Sequence, residues 1–134
     1  MNLNLENKVA LITGGSHGIG LSIAESLAEE GCKISICSRD NNKLKEAQDF
    51  IHSKVNNGII TIQADVTNDE DINNVIDITT TCFGTIDILI NNVGGGGRWG
   101  NEDVLSTPHK IWREVYDKNI GAATKFTLGV LPYM

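Results

Sequence analysis

The sequence predicts an α/β fold in which a parallel sheet is doubly wound, with helices on both faces. Two observations carry this expectation. Short runs rich in Val, Ile and Leu recur along the chain, and each is followed by a segment whose apolar residues have helical spacing. The first run passes directly into a glycine-rich turn, Thr13-Gly14-Gly15-Ser16-His17-Gly18-Ile19-Gly20, which opens a helix. Strands that alternate with helices pair in parallel through right-handed crossovers.

Val9-Ala10-Leu11-Ile12-Thr13 is the first strand, apolar throughout because both its faces are covered. In the helix after the glycine turn, Ile19, Ile23 and Leu27 recur at helical spacing with Ala24 and Ala28 beside them, which predicts one buried stripe ended by Gly31. Lys33 to Ser38 alternates Ile34 and Ile36 as a second strand. Asn41 to Lys54 is a polar helix with Leu44, Ala47 and Ile51 as its buried face, and an Asn56-Asn57-Gly58 turn follows. Ile59-Ile60-Thr61-Ile62, β-branched throughout, is the third strand. Thr67-x-x-Glu70 predicts a capping box for a helix carrying Ile72, Val75, Ile76, Thr79 and Phe83 on one face, stopped by Gly84. Ile86 to Asn91 is the fourth strand. A last helix is expected with Thr107 as N-cap and Pro108 at the first helical position, running to about Leu131 with Ile111, Val115, Ala122, Phe126 and Val130 on its apolar stripe.

A chain of 134 residues is long enough to bury the core of one domain. Its net charge of −6 and pI near 4.9 argue against a broad nucleic-acid surface. Cys32, Cys37 and Cys82 are odd in number and lack Cys-x-x-Cys spacing, so neither a disulfide framework nor a zinc site is expected, and the thiols read as buried and reduced. His52 and His109 have no partner spacing that suggests a metal. The apolar run Val9–Ile12 is too short for a signal segment or a membrane span, which points to the cytoplasm.

Gly14, Gly18 and Gly20 lie where a strand meets a helix. They suit a tight turn, close approach of a pyrophosphate and close helix–strand packing, while the helix N-terminus offers unpaired N–H donors and a positive dipole end. Together with Asp65-Val66 after the third strand, Asn91-Asn92-Val93-Gly94 after the fourth and Asn119 in the last helix, this motif resembles the short-chain dehydrogenase/reductase family, in that family's order and over nearly the whole chain. The resemblance implies a Rossmann-type NAD(P)-binding domain over residues 1–134, truncated after the fourth β-α unit. Three residues between the first two motif glycines set it apart from the extended, epimerase-like branch. The resemblance further implies that Ser16 and Ile19 add contacts to the cofactor and that Asp65 accepts the adenine amino group with Val66 beside the ring. It assigns Asn91 and Asn92 to tying the central strands and lining the ribose, and Gly94 to leaving room for the sugar. Val93 stands where the family usually has Ala. His17 stands where related reductases often carry a basic residue, and it reads equally as a neutral surface histidine.

The second strand ends where an enzyme for NAD presents a carboxylate to the ribose hydroxyls. Here that position is Ser38, followed by Arg39, whose planar fork suits a 2′-phosphate. NADP is therefore expected over NAD, although Asp40 is adjacent and could neutralise Arg39.

Family members use a Ser, a Tyr and a Lys in catalysis, and an Asn that supports a proton-relay water. Only Asn119 has a match, and its side chain in mid-helix suits a local kink. No Tyr-x-x-x-Lys occurs, so the chain reads as the cofactor-binding, N-terminal half of an NADP-dependent oxidoreductase acting on a small carbonyl or alcohol, inactive alone and a homo-oligomer when complete. The alternative is a non-catalytic dinucleotide-binding or interaction module. Arg98 and Trp99, after the Gly94–Gly97 run, are candidates to meet an anionic substrate.

Overall fold

The computed structural model describes residues 2–95 and 103–134, so Arg98 and Trp99 lie outside the described residues. Strands β1 (Val9–Thr13), β2 (Lys33–Ser38), β3 (Ile59–Gln63) and β4 (Ile88–Ile90) form a parallel sheet in the order β3-β2-β1-β4. The helices are α1 (Gly18–Glu29), α2 (Asn41–His52), α3 (Asp69–Phe83), α4 (His109–Tyr116) and α5 (Ala122–Val130). From β1 the chain winds outward through β2 to β3, then returns to place β4 on the other side of β1. The carboxyl ends of β1 and β4 therefore flank a topological switch point, where open α/β sheets leave a crevice.

Two apolar layers cover the sheet. Ile12, Ile34 and Ile36 meet Ala24, Leu44 and Ile51 of α1 and α2, while Leu11 and Cys37 meet Ile72, Val75 and Phe126 on the α3 and α5 side. All five residues of β1 are buried, as a central strand covered on both faces requires. β4 is shorter than the sequence suggests, and its three residues are only half-buried beside β1.

Helix α1 corrects the expected stripe. Its buried residues are Gly20, Ala24 and Ala28, whereas Ile23 and Leu27 pack from the flank and Ile19 is 75% exposed. The smallest side chains face the sheet because they let the helix axis lie close to it, which lifts Ile19 over the end of β1. In α2 the buried residues are Leu44, Ala47 and Ile51, as the spacing predicts.

Helix α3 is capped differently from the expected box. The Thr67 N–H and hydroxyl both donate to Asp65 Oδ1, at 2.9 and 2.7 Å, so Asn68 takes the capping position and accepts from the Glu70 and Asp71 N–H groups. Asp69, Glu70 and Asp71 complement the positive end of the helix. Gly84 stops it at φ 85°, a left-handed conformation that a side chain would disfavour.

The last helical segment begins at His109, with Pro108 extended just before it and the Thr107 hydroxyl donating to the Asp103 carbonyl at 2.7 Å. It is not continuous. A π turn, Asp117–Gly121, separates α4 from α5, and a 3₁₀ turn, Leu131–Tyr133, follows. Ala122, Phe126 and Val130 are buried as predicted, but Ile111 and Val115 are only half-buried and α4 buries no residue fully. Cys32 and Cys37 are buried thiols; Cys82 is exposed, contrary to expectation, because it falls on the outer face of α3.

Candidate functional site

A cleft of about 400 Å³ opens beyond the carboxyl ends of the strands. Its wall is assembled from separate stretches of chain: Gly14 and His17–Ile19 of the glycine turn, Ser38 and Arg39 after β2, Ala64–Thr67 after β3, Asn92–Gly94 after β4, and Lys118 of the π turn.

Gly14 and Gly18 take positive φ values of 65° and 56°, which lets the turn fold back while its amide at Gly14 donates to the Cys37 carbonyl at 2.9 Å. His17 precedes α1 in extended conformation. Neither it nor any acidic residue in the first turn caps the helix, so the donors at this end carry no side-chain partner. An uncapped helix start opening on a cleft suits an anion. Gly20 does not line the cleft; it sits beneath it, where a Cβ would come within 2.3 Å of the Gly14 carbonyl oxygen. Ser16 is also buried, with its Oγ 3.1 Å from His17 Nδ1, and it too stands behind the cleft wall.

Beyond β4, Asn92 is a strut between the strand exit and the glycine turn. Its Nδ2 donates to the carbonyls of Thr13 and Gly14, both at 3.1 Å, and its backbone N–H donates to Thr13 Oγ1 at 3.1 Å. Thr13 Oγ1 in turn donates to the Ile90 carbonyl at 3.3 Å, which locks the ends of β1 and β4 together. Asn91 differs from its expected part. Strand alternation sends its side chain away from the cleft, where Nδ2 donates to Thr127 Oγ1 of α5 at 3.1 Å.

Asn119 lies within the π turn and outside the cleft wall. Its Nδ2 donates to the Val115 carbonyl at 2.9 Å, a side chain inserted into the helical ladder of the kind that deforms a helix. Its Oδ1 accepts from the Gly95 N–H at 2.9 Å and would lie 2.9 Å from a Cβ at Gly94, so a side chain there would collide with this brace.

Asp65 is the acidic group among the described cleft residues. The hydrogen bonds from Thr67 hold its carboxyl below the usual range, against a smaller opposing effect of burial, and the charges of Arg39 and Lys118 add to them. Asp40, which could have neutralised Arg39, is instead the N-cap of α2: its Oδ1 accepts from the Asn42 and Lys43 N–H groups at 3.0 and 3.1 Å. Among the described residues no carboxylate forms an ion pair with Arg39, which is exposed at the mouth of the cleft.

A family model described as short chain dehydrogenase matches residues 8–134. The chain belongs to the short-chain dehydrogenase/reductase family. The chain is 32% identical over 129 residues to dehydrogenase/reductase SDR family member 4 of Caenorhabditis elegans, a match covering 96% of this chain and 49% of that protein. It is 34% identical over 134 residues to 11-beta-hydroxysteroid dehydrogenase 1A of Arabidopsis thaliana, covering 98% of this chain and 37% of that one. L-sorbose reductase from Gluconobacter frateurii, solved with NADPH and L-sorbose, has the same fold with a TM-score of 0.94 at 34% identity, over 100% of this chain and 50% of that chain. The chain thus spans about half the length of these relatives or less.

The cleft fits a nicotinamide dinucleotide in its donor chemistry. The uncapped end of α1 suits a pyrophosphate, open space surrounds Gly18, and a carboxylate and an arginine stand farther along the wall. Ala64, Thr67 and Lys118 also line the cleft although the motifs assign none of them to it, and Lys118 is the charged one of the three. A lone lysine in a polar helical stretch gives no signal; the one clue was its neighbour Asn119, whose side chain marks the place where the helix departs from α geometry.

Proposed function

We propose that this chain is the cofactor-holding domain of an NADP(H)-dependent oxidoreductase acting on a small carbonyl or alcohol. The observation that carries the reading is Arg39, which stands at the end of β2 after the neutral Ser38 while Asp40 is held in the cap of α2. A 2′-phosphate meets a bidentate donor there and no carboxylate at Ser38 to repel it. When bound, the dinucleotide supplies the hydride chemistry. The amides at the start of α1 take the pyrophosphate, Asp65 accepts the adenine amino group with Val66 beside the ring, and Gly94 leaves space for the second ribose. Asn119 braces the Gly94-Gly95 backbone, with Oδ1 accepting from Gly95 and Nδ2 donating to Val115, and acts on the cleft as a positioning residue.

The sequence contains no Tyr-x-x-x-Lys, so the chain is expected to bind cofactor without turning substrate over. The NADPH and sugar ligands of the sorbose reductase support a reductase reading of the whole protein. We place it in the cytoplasm as a homo-oligomer; no helix among the described residues is long and apolar enough to cross a membrane.

Titration with NADPH and NADH, followed by Arg39→Ala, tests the reading. NADPH is expected to bind tighter, and loss of the charged hydrogen bonds should weaken it by about 10- to 100-fold while leaving NADH nearly unchanged. Equal affinity for the two cofactors, or indifference of NADPH to the substitution, would refute it.

A further inference from the structure

Lys118 belongs to none of the motifs that place this chain in its family, yet it lines the cleft with Arg39, Asp65 and Thr67. It reaches that wall from the π turn, one residue before Asn119, and is half-buried there. A π turn adds a residue to a helical stretch and re-aims the side chains within it. The chain as a whole carries −6, but the permanently charged groups among the described cleft residues are Arg39 and Lys118 against Asp65. Over those described residues the permanent charges sum to a net positive charge with Lys118 and to zero without it.

Both cations act on the same carboxylate, since the charges of Arg39 and Lys118 each help hold Asp65 ionised. The two groups are far apart in sequence, and both line the cleft that holds Asp65. NADP differs from NAD by a 2′-phosphate carrying nearly two negative charges, and a cleft with low-dielectric walls focuses the field such a group feels. Resting on the NADP(H) reading above, we infer that Lys118 is a specificity-determining residue, whose ammonium adds to Arg39 and weights the cleft toward the phosphorylated dinucleotide. If Lys118 served only to keep Asp65 ionised for the adenine amino group, it would matter equally for both cofactors.

The test uses the 134-residue chain, titrated with NADPH and with NADH at low and at high salt, as wild type, Lys118→Gln and Lys118→Arg. Lys118→Gln is expected to weaken NADPH by about three- to tenfold at low salt, to leave NADH within about twofold, and to flatten the salt dependence of NADPH binding. Lys118→Arg should restore all three. Thermal melting of the variants, expected to match wild type, separates a binding effect from a folding one, and Lys118→Met replaces the Gln variant should that one melt early. An equal change for both cofactors, or no change for either, overturns the inference. Arg39→Ala run in parallel separates the two claims. If it abolishes the preference for NADPH while Lys118→Gln does nothing, the role of Lys118 falls and the NADP(H) reading stands. If the wild type binds neither cofactor, or both equally, the NADP(H) reading falls and this inference with it.

Discussion

Replacing Gly20 with Ala would place a Cβ 2.3 Å from the Gly14 carbonyl oxygen, 2.5 Å from Asn92 Nδ2 and 3.0 Å from the Gly14 carbonyl carbon. Carbon–oxygen contacts settle at about 3.3–3.6 Å, so the turn and the first turn of α1 must separate by roughly 1 Å. Two of these atoms are backbone, and the third is the amide that donates to the Thr13 and Gly14 carbonyls, so no flexible side chain can yield instead. Overpacking of this kind costs about 1–3 kcal/mol, and loss of the Asn92 bond to Gly14 adds about 1 kcal/mol. The better helix propensity of Ala returns up to about 1 kcal/mol. The net loss is about 2 kcal/mol, which for a chain of this size lowers the melting temperature by roughly 6–10 °C. Because the displaced atoms belong to the proposed pyrophosphate cradle, NADPH affinity should fall more than about tenfold if roughly 1.4 kcal/mol of binding is forfeited. Thermal denaturation followed by circular dichroism, with NADPH fluorescence titration on the same sample, measures both quantities. A Gly20→Ala protein that melts with wild type and binds NADPH with wild-type affinity would refute the packing argument.

Other regions of the molecule make separate predictions. Ser35 and Thr79 are fully buried with their hydroxyls 2.8 Å apart, and Thr79 donates to the Val75 carbonyl at 2.7 Å, so Ser35 must be the donor to Thr79. Thr79→Val should therefore cost about 1–3 kcal/mol in urea unfolding by orphaning the Ser35 hydroxyl, and adding Ser35→Ala should recover part of it. Burial pushes the Cys37 thiol from 9.0 up to about 12. The unfolded chain then loses its proton first, so this contribution to stability is constant below pH 9.0 and declines between there and about 12, a slope that Cys37→Ala should remove from the alkaline limb of a pH–stability curve. A thiol reagent should label Cys82 in the native chain, and Cys32 and Cys37 only on unfolding. Finally, among the described residues β4 pairs with β1 alone, and Trp112, Leu128 and Leu131 are each more than half exposed, so sedimentation should show the chain self-associating rather than a monodisperse monomer.

The strands were legible because their signal is local: Val9–Thr13 and Ile59–Ile62 are apolar or β-branched over lengths that suit a strand buried on both faces. The glycine turn, Arg39, Asp65 and Asn92 were legible as a set because strand ends in a parallel sheet converge whatever else the chain does. Several readings fail where a side chain has a competing local partner or the packing geometry chooses between similar faces, and Thr67, Asn91 and Ile19 show how. Thr67 looked like a cap until Asp65 took its donors, and Asn91 looked like part of the cleft although strand alternation turns it toward Thr127. Ile19 has the spacing of a core residue, but the close approach of α1 to the sheet selects Gly20, Ala24 and Ala28. Lys118 was invisible because its place depends on a change of helix type that residue spacing does not report.

The central claim is that the cleft from the glycine turn to Asp65 holds a phosphorylated nicotinamide dinucleotide. Amide chemical-shift mapping of the labelled chain on addition of NADPH tests it most directly. The account predicts saturable shifts concentrated at Gly14, Gly18, Ile19, Arg39, Asp65 and Gly94, with NADH giving the same pattern except at Arg39 and only at higher concentration. Shifts centred elsewhere, or no saturable response, would contradict it.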